Sequence, residues 1–168
     1  MNTNYYDSIA KSYDRLHKEE QTRKLKAILP HLTVHPYSTF VDVGCGTGVA
    51  LPHFKTAIKI GCDPARQLLL QGPKLAPFVN AAGEALPIRS GCADIVLCLT
   101  AFHNFSDHNR GIEEMKRIAA PNATIVITIL KKIAKAAFLG DLIRANFDVV
   151  KELDDHHDTI YICKQRQS

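Results

Sequence analysis

A chain of 168 residues that is 46% hydrophobic and 23% charged is large enough for one domain with a sound core and too apolar to be disordered. Its formal charge of +4 is mild: Lys and Arg are dispersed, apart from a loose cluster from Lys11 to Lys26 that reads as a solvated helix face. That balance makes nucleic acid an unexpected partner, and no stretch is fit to span a bilayer, since the most apolar one, Ala123 to Leu139, is broken by Lys131, Lys132 and Lys135.

The five cysteines, Cys45, Cys62, Cys92, Cys98 and Cys163, form no CxxC pair and have no metal-ligand spacing, so no metal is expected. Cys62, Cys98 and Cys163 lie inside apolar runs, as buried reduced thiols do, which points to a cytoplasmic location. The opening Met-Asn-Thr-Asn-Tyr-Tyr-Asp lacks the apolar core of a signal peptide.

From Tyr5 to Leu32 apolar residues recur at helical spacing (Ile9, Tyr13, Leu16, then Leu25, Ile28, Leu29, Leu32), with an end or kink at Pro30. Phe40-Val41-Asp42-Val43 then reads as a strand that runs into glycines at alternate positions, Gly44, Gly46 and Gly48. Such a corner brings backbone close to a nucleotide-like ligand, because a side chain there would block the approach. The spacing excludes two familiar loops. The dinucleotide fingerprint needs glycine at position 49, which is Val, and no Lys-Ser or Lys-Thr follows as a P-loop requires.

A short helix over Val49–Phe54, limited by Pro52, leads to a second strand, Ala57 to Cys62, apolar on both faces as in a covered parallel sheet. Asp63 follows, nineteen residues after Gly44. An acid there is placed to accept hydrogen bonds from a ribose diol, the reading favoured by the glycine loop at that distance; with Pro64 behind it, capping of the next helix, Ala65 to Leu70, is the competing account. A third strand, Pro77–Asn80, precedes Ala82-Gly83-Glu84-Ala85-Leu86-Pro87. The fourth strand, Asp94–Thr100, runs into Ala101-Phe102-His103-Asn104-Phe105-Ser106-Asp107. His103 is the side chain of this loop with acid–base range near neutral pH, unless it only caps or packs the loop.

Asn109 to Ala119 is an amphipathic helix with Ile112, Met115 and Ile118 inward and Arg110, Glu113, Glu114, Lys116 and Arg117 outward. A fifth strand, Ala123–Leu130, and a helix, Ile133–Asn146, follow. The chain ends in two strands, Phe147–Leu153 and Thr159–Lys164, joined by a polar turn, Asp154 to Asp158. His156-His157 beside three acids suggests a metal, but adjacent side chains point apart.

The residues VDVGCGTG resemble the first motif of class I S-adenosylmethionine-dependent methyltransferases. YYDSIAKSYDRL resembles the first helix of many small-molecule members, AGEALP the segment around the adenine, and AFHNFSD the loop after strand four in the ubiquinone-biosynthesis-like branch. The resemblance implies an α/β, Rossmann-like doubly wound sheet of seven strands, mostly parallel with a C-terminal antiparallel strand. It implies one domain over 1–168, with 1–36 a helical cover and 37–168 the core.

The implied cofactor is S-adenosyl-L-methionine. Asp42, Gly44 and Gly46 would meet its methionine end, Asp63 the ribose, and Gly83 and Glu84 the adenine, with Thr100 and Tyr13 also in the site and His103 the candidate base. Tyr6 and Tyr13 would cover the cofactor or merely pack the helix. In the adenine segment Ala82 stands where the family usually has Asp. The implied activity is methyl transfer to a small molecule. The alternative is a non-catalytic cofactor-binding module or partner subunit.

Overall fold

The computed structural model describes residues 18–166. A helix over 18–28 (α1) buries Leu25 and Ile28 completely, one turn apart, and gives way at Pro30 to a 3-10 turn, Leu29–His31. Seven strands follow: β1 (Thr39–Val43), β2 (Ile58–Asp63), β3 (Phe78–Asn80), β4 (Ala93–Cys98), β5 (Ala119–Leu130), β6 (Phe147–Asp155) and β7 (Asp158–Gln165). The helices between them are α2 (Arg66–Leu69), α3 (His108–Ile118) and α4 (Ala136–Asn146).

The strands form one sheet in the order β3-β2-β1-β4-β5-β7-β6, parallel from β3 to β5 and antiparallel at β7 and β6. The expected seven-stranded, doubly wound architecture is therefore present. Its apolar runs explain it. Alternate residues of β1 and β4 enter opposite cores: Val41, Val43, Val96 and Cys98 pack with α3 and α4, while Phe40, Ile95 and Leu97 pack with Leu25 and Ile28 of α1 and with Leu51 and Phe54. Phe40 and Phe54 stack with ring centroids 3.7 Å apart. Strand order reverses between β1 and β4, and the crevice outside their carboxyl ends is where open α/β sheets take ligands.

Several local expectations are corrected. The segment after the glycine loop forms a 3-10 turn, Leu51–His53, in place of a helix over Val49–Phe54. Pro52 removes a donor from a piece already too short to propagate. Helix α2 is a single turn, and β5 begins at Ala119, directly at the end of α3, with a register shift opposite Ala93–Ile95. Glu114 is not outward: it is 4% exposed, with Leu86 N–H donating to Oε2 at 2.7 Å and the Arg117 guanidinium contacting both oxygens. Position 114 lies one turn from buried Ile118, so burial is geometrically natural once these donors neutralise the charge. The arginine holds the carboxyl below the ordinary range.

The polar turn is shorter than expected. Strands β6 and β7 continue to Asp155 and from Asp158, leaving His156-His157 as the turn. No grouping of side chains fit to hold a metal occurs among the described residues. All five cysteines are free, and Cys62, Cys98 and Cys163 are buried. No described helix is long and apolar enough to cross a membrane.

Candidate functional site

The glycine loop lies at the β1 end of the crevice. Gly44, Gly46 and Gly48 have φ of 75°, 55° and 77°, in the left-handed region that favours glycine. Gly44 also meets the facing loop closely: a Cβ on it would lie 2.3 Å from Ala101 Cβ. The loop's amides point inward. Gly44 N–H and Cys45 N–H donate to Cys62 O at 2.7 and 3.0 Å, Gly46 N–H to Asp63 Oδ2 at 2.9 Å, and Gly48 N–H to Cys45 O at 2.8 Å. A phosphate-cradling loop directs such donors at its ligand; these are already used within the protein.

Both strand-end acids are buried. Asp42 is 2% exposed, and its Oδ1 has no hydrogen-bond partner. Loss of solvent, and secondarily the charge of Asp63, raises its carboxyl to about 8, so it is largely protonated at neutral pH. Asp63 accepts from Gly46 N–H through Oδ2 and from Ala65 N–H through Oδ1 at 2.8 Å. The bond to Ala65 N–H closes a turn just ahead of α2, whose N-cap is Ala65 with no side-chain cap bond, so Asp63 does not cap that helix.

After β3, Gly83 packs against Phe105, where a Cβ would lie 2.1 Å from the ring. Gly111 of α3 sits on the same ring, at 2.4 Å by the same construction, so Phe105 cannot retreat. Gly83→Ala should therefore lower stability by about 1–3 kcal/mol in urea denaturation; an unchanged midpoint would mean that the ring is free to move. Glu84 Oε1 accepts from Ser106 N–H (2.7 Å), Ser106 Oγ (2.8 Å) and, more distantly, Asp107 N–H (3.4 Å), tying the 82–86 segment to the loop after β4.

Thr100 follows β4 with φ 55°, an uncommon conformation for a β-branched residue. A buried network explains it. Thr100 N–H donates to Thr128 Oγ1 at 2.7 Å, and both hydroxyls reach Asp158 Oδ2, at 3.1 and 3.0 Å. Lys24 Nζ, from α1, contacts Thr100 Oγ1 (2.8 Å), Glu20 Oε1 (2.6 Å) and Asp158 Oδ1 (2.8 Å), the last as an ion pair off the hydrogen-bonding direction. The side chains of Lys24 and Asp158 are both fully buried. One helical position earlier, Arg23 grips Asp155 through two bonds of 3.0 and 2.9 Å. Two acids of the expected polar turn are thus partners of α1.

His103, in a 3-10 turn just beyond Thr100, is half-buried, and its Nδ1 is buried without a partner. Desolvation pulls its pKa down to about 4; Asp158 opposes this, while Lys135, Lys24 and His108 add to it. The imidazole is neutral at physiological pH. Beside it, His108 Nε2 lies 3.3 Å from Lys135 Nζ.

The structure thus brings Asp42, Gly44, Gly46 and Asp63 together at one corner, and Thr100 and His103 across from them. Gly83 and Glu84 join the second group through Phe105 and Ser106. Tyr13 and Tyr6 lie outside the described residues. Sequence reasoning missed Gln21, Lys24, Thr128 and Asp158; the only signal was an Arg-Lys pair on a helix and an acid-rich turn, more than a hundred residues apart. The broad hollows of about 540 and 550 Å³ at the other end of β5, near Pro121, Asn122 and Arg166, contain none of these residues.

Residues 41–127 match the family described as methyltransferase domain. An uncharacterised protein of Methanocaldococcus jannaschii is 24% identical over 147 residues, covering 88% of this chain and 59% of that one. A tRNA (carboxymethyluridine(34)-5-O)-methyltransferase of Arabidopsis thaliana is 27% identical over 142 residues, covering 73% of this chain but 35% of that protein. The chain thus spans between about a third and three-fifths of the length of these relatives.

A chain from the complex of the Haloferax volcanii Trm112 methyltransferase activator with its partner shares the fold, with a TM-score of 0.81 at 15% identity over 96% of this chain and 98% of that one. The tRNA-acting relative leaves the expectation against nucleic acid without support. The match runs over half of the chain, through the glycine loop, Asp63, the 82–86 segment and the loop after β4: the chain belongs to the methyltransferase domain family.

Proposed function

We propose that this chain binds S-adenosyl-L-methionine across the carboxyl ends of β1, β2 and β3 and transfers its methyl group to an acceptor entering over the ends of β4 and β5. The observation that carries this is the inward use of the loop amides. With Gly44, Cys45, Gly46 and Gly48 N–H groups satisfied internally, the corner offers carbonyls and the buried Asp42 carboxyl, which suit a cationic amino-acid end and not a pyrophosphate.

The bound cofactor supplies a sulfonium-activated methyl group; the protein's task is to hold acceptor and methyl in line. Asp63 would accept from the ribose hydroxyls while anchoring the loop through Gly46. Gly83 would edge the adenine, with Glu84 keeping its segment in place. His103, neutral and with a buried, unpartnered Nδ1, would accept a hydrogen bond from a hydroxyl or similar group and so orient the acceptor. With its pKa near 4 it is a weak base, taking a proton only as the methyl is transferred. Residues 18–36 would cover the core as part of a single domain.

The acceptor is proposed to be a small molecule, reached past α1 and the loop after β5. A nucleoside in RNA is the second reading, favoured by the exposed lysines Lys131, Lys132 and Lys135 after β5, of which Lys135 lies beside His108, and by the tRNA-acting relative. Incorporation of labelled methyl into metabolite and RNA pools separates the two. Tight cofactor binding with no transfer to either pool would favour the non-catalytic module, with a Trm112-like activator the partner to add before concluding so.

Calorimetry with S-adenosylhomocysteine tests the core of the proposal, and absence of binding at millimolar concentration would sink it. Asp63→Ala should weaken binding by about 1–3 kcal/mol. An analogue lacking the ribose 2′-hydroxyl should bind wild type less tightly but the variant equally. Persistent discrimination by the variant would remove Asp63 from the ribose site.

A further inference from the structure

We propose that Gln21 on α1 and Asp42 on β1 together form a socket for the α-ammonium group at the methionine end of the cofactor, which makes α1 part of the cofactor site and not only its cover. The inference rests on the cofactor reading above and goes beyond it by assigning a residue of α1 that no motif marks.

The geometry is specific. Gln21 is 8% exposed and Asp42 2%. Gln21 Oε1 and Asp42 Oδ1 are both buried, and neither has a hydrogen-bond partner. Both residues line one small cavity with Gly44, Cys45, Val49, Ala50 and Leu99. Its volume of about 20 Å³ holds one water-sized group. Native proteins rarely leave even one buried acceptor orphaned, because each costs about 1–3 kcal/mol. Two such orphans on residues that line one cavity call for a single occupant rich in donors.

An ammonium group, with three N–H donors and a positive charge, answers the need better than water. Among the described residues, the groups acting on Asp42 bring no compensating cation: Asp63 stands at the end of β2, and the thiols of Cys45, Cys62 and Cys98 are pushed up by burial and stay neutral. From α1, Gln21 is uncharged, and the neighbouring Lys24 is engaged with Glu20, Thr100 and Asp158. The protonated Asp42 carboxyl would give up its proton as the ammonium arrives, turning a costly buried acid into an ion pair.

The test uses the described chain at full length, S-adenosylhomocysteine, and 5′-methylthioadenosine, which lacks the amino-acid end. Gln21→Leu should weaken S-adenosylhomocysteine about tenfold or more, as for a lost hydrogen bond to a charged group, and leave methylthioadenosine within about twofold. Gln21→Glu keeps an acceptor and should bind S-adenosylhomocysteine at least as tightly as wild type.

At pH 7, calorimetric enthalpies in buffers of different ionisation heat should show close to one proton released on binding by wild type and none by Asp42→Asn. Equal weakening of both ligands by Gln21→Leu, loss of affinity in Gln21→Glu, or absence of proton release would each overturn the socket while leaving cofactor binding intact. Failure of wild type to bind S-adenosylhomocysteine would overturn the cofactor reading itself. Should Gln21→Leu not fold, Gln21→Glu and the proton count still decide.

Discussion

Replacing Lys24 with Met should lower the unfolding free energy by about 3–5 kcal/mol, among the largest single-residue effects in this chain. Lys24 Nζ contacts Asp158, Glu20 and Thr100 at 2.6–2.8 Å in a place where neither it nor Asp158 has any exposed side chain. Removing the cation leaves Asp158 as an uncompensated buried charge, with only the hydroxyls of Thr100 and Thr128 as donors. The pair itself contributes much less than its disruption costs, because both charges were desolvated to form it.

The double variant Lys24→Met/Asp158→Asn should therefore be more stable than the sum of the single losses by about 2 kcal/mol, measured in a double-mutant cycle by urea denaturation. Additivity within about 0.5 kcal/mol would show that the two residues are not energetically coupled. The consequence reaches the site, since the same cluster holds Thr100 in its left-handed conformation and so sets where His103 begins.

Asp42→Asn should stabilise the ligand-free protein at pH 8 by roughly 2–4 kcal/mol and hardly at all at pH 4. Burial raises the folded-state pKa of Asp42 to about 8 from an ordinary value of 3.8. Between those values the folded chain binds more protons at this position than the unfolded chain, so wild-type stability falls as pH rises from about 4 to about 8. An amide that cannot ionise escapes that loss. Urea denaturation of both proteins at pH 4, 6 and 8 should show a gap that widens with pH, and a constant gap would mean that Asp42 is not the group responsible. A buried acid that weakens the fold at neutral pH is the pattern of a residue kept for its ligand.

Much of the fold was legible because its signals are short. Short apolar runs at Phe40, Ala57, Asp94 and Ala123, bounded by turn residues, read as strands of a covered sheet, although the first residue of β2, Ile58, is half exposed. Alternate glycines after the first run mark the ligand corner, and Asp63 follows at the right distance. What failed locally failed for lack of a partner in view. Glu114 carries a charge and so reads as outward, although its helical position faces the core; the donors that permit its burial, Leu86 N–H and Arg117, come partly from another segment. Asp155 and Asp158 read as turn residues until Arg23 and Lys24 draw them into the strands.

By itself, then, the sequence determined the strand count, the parallel core with its antiparallel end, and the glycine corner with Asp42 and Asp63 beside it, since each is written in a window of twenty residues or fewer. Only the tertiary structure decided that the loop amides turn inward, that Gln21 and Asp42 face one cavity, and that α1 is pinned to the C-terminal hairpin through charges 132 residues apart in the case of Arg23 and Asp155. Those pairings depend on strand order and on which groups lose water together, and neither is encoded in the neighbours of any one residue.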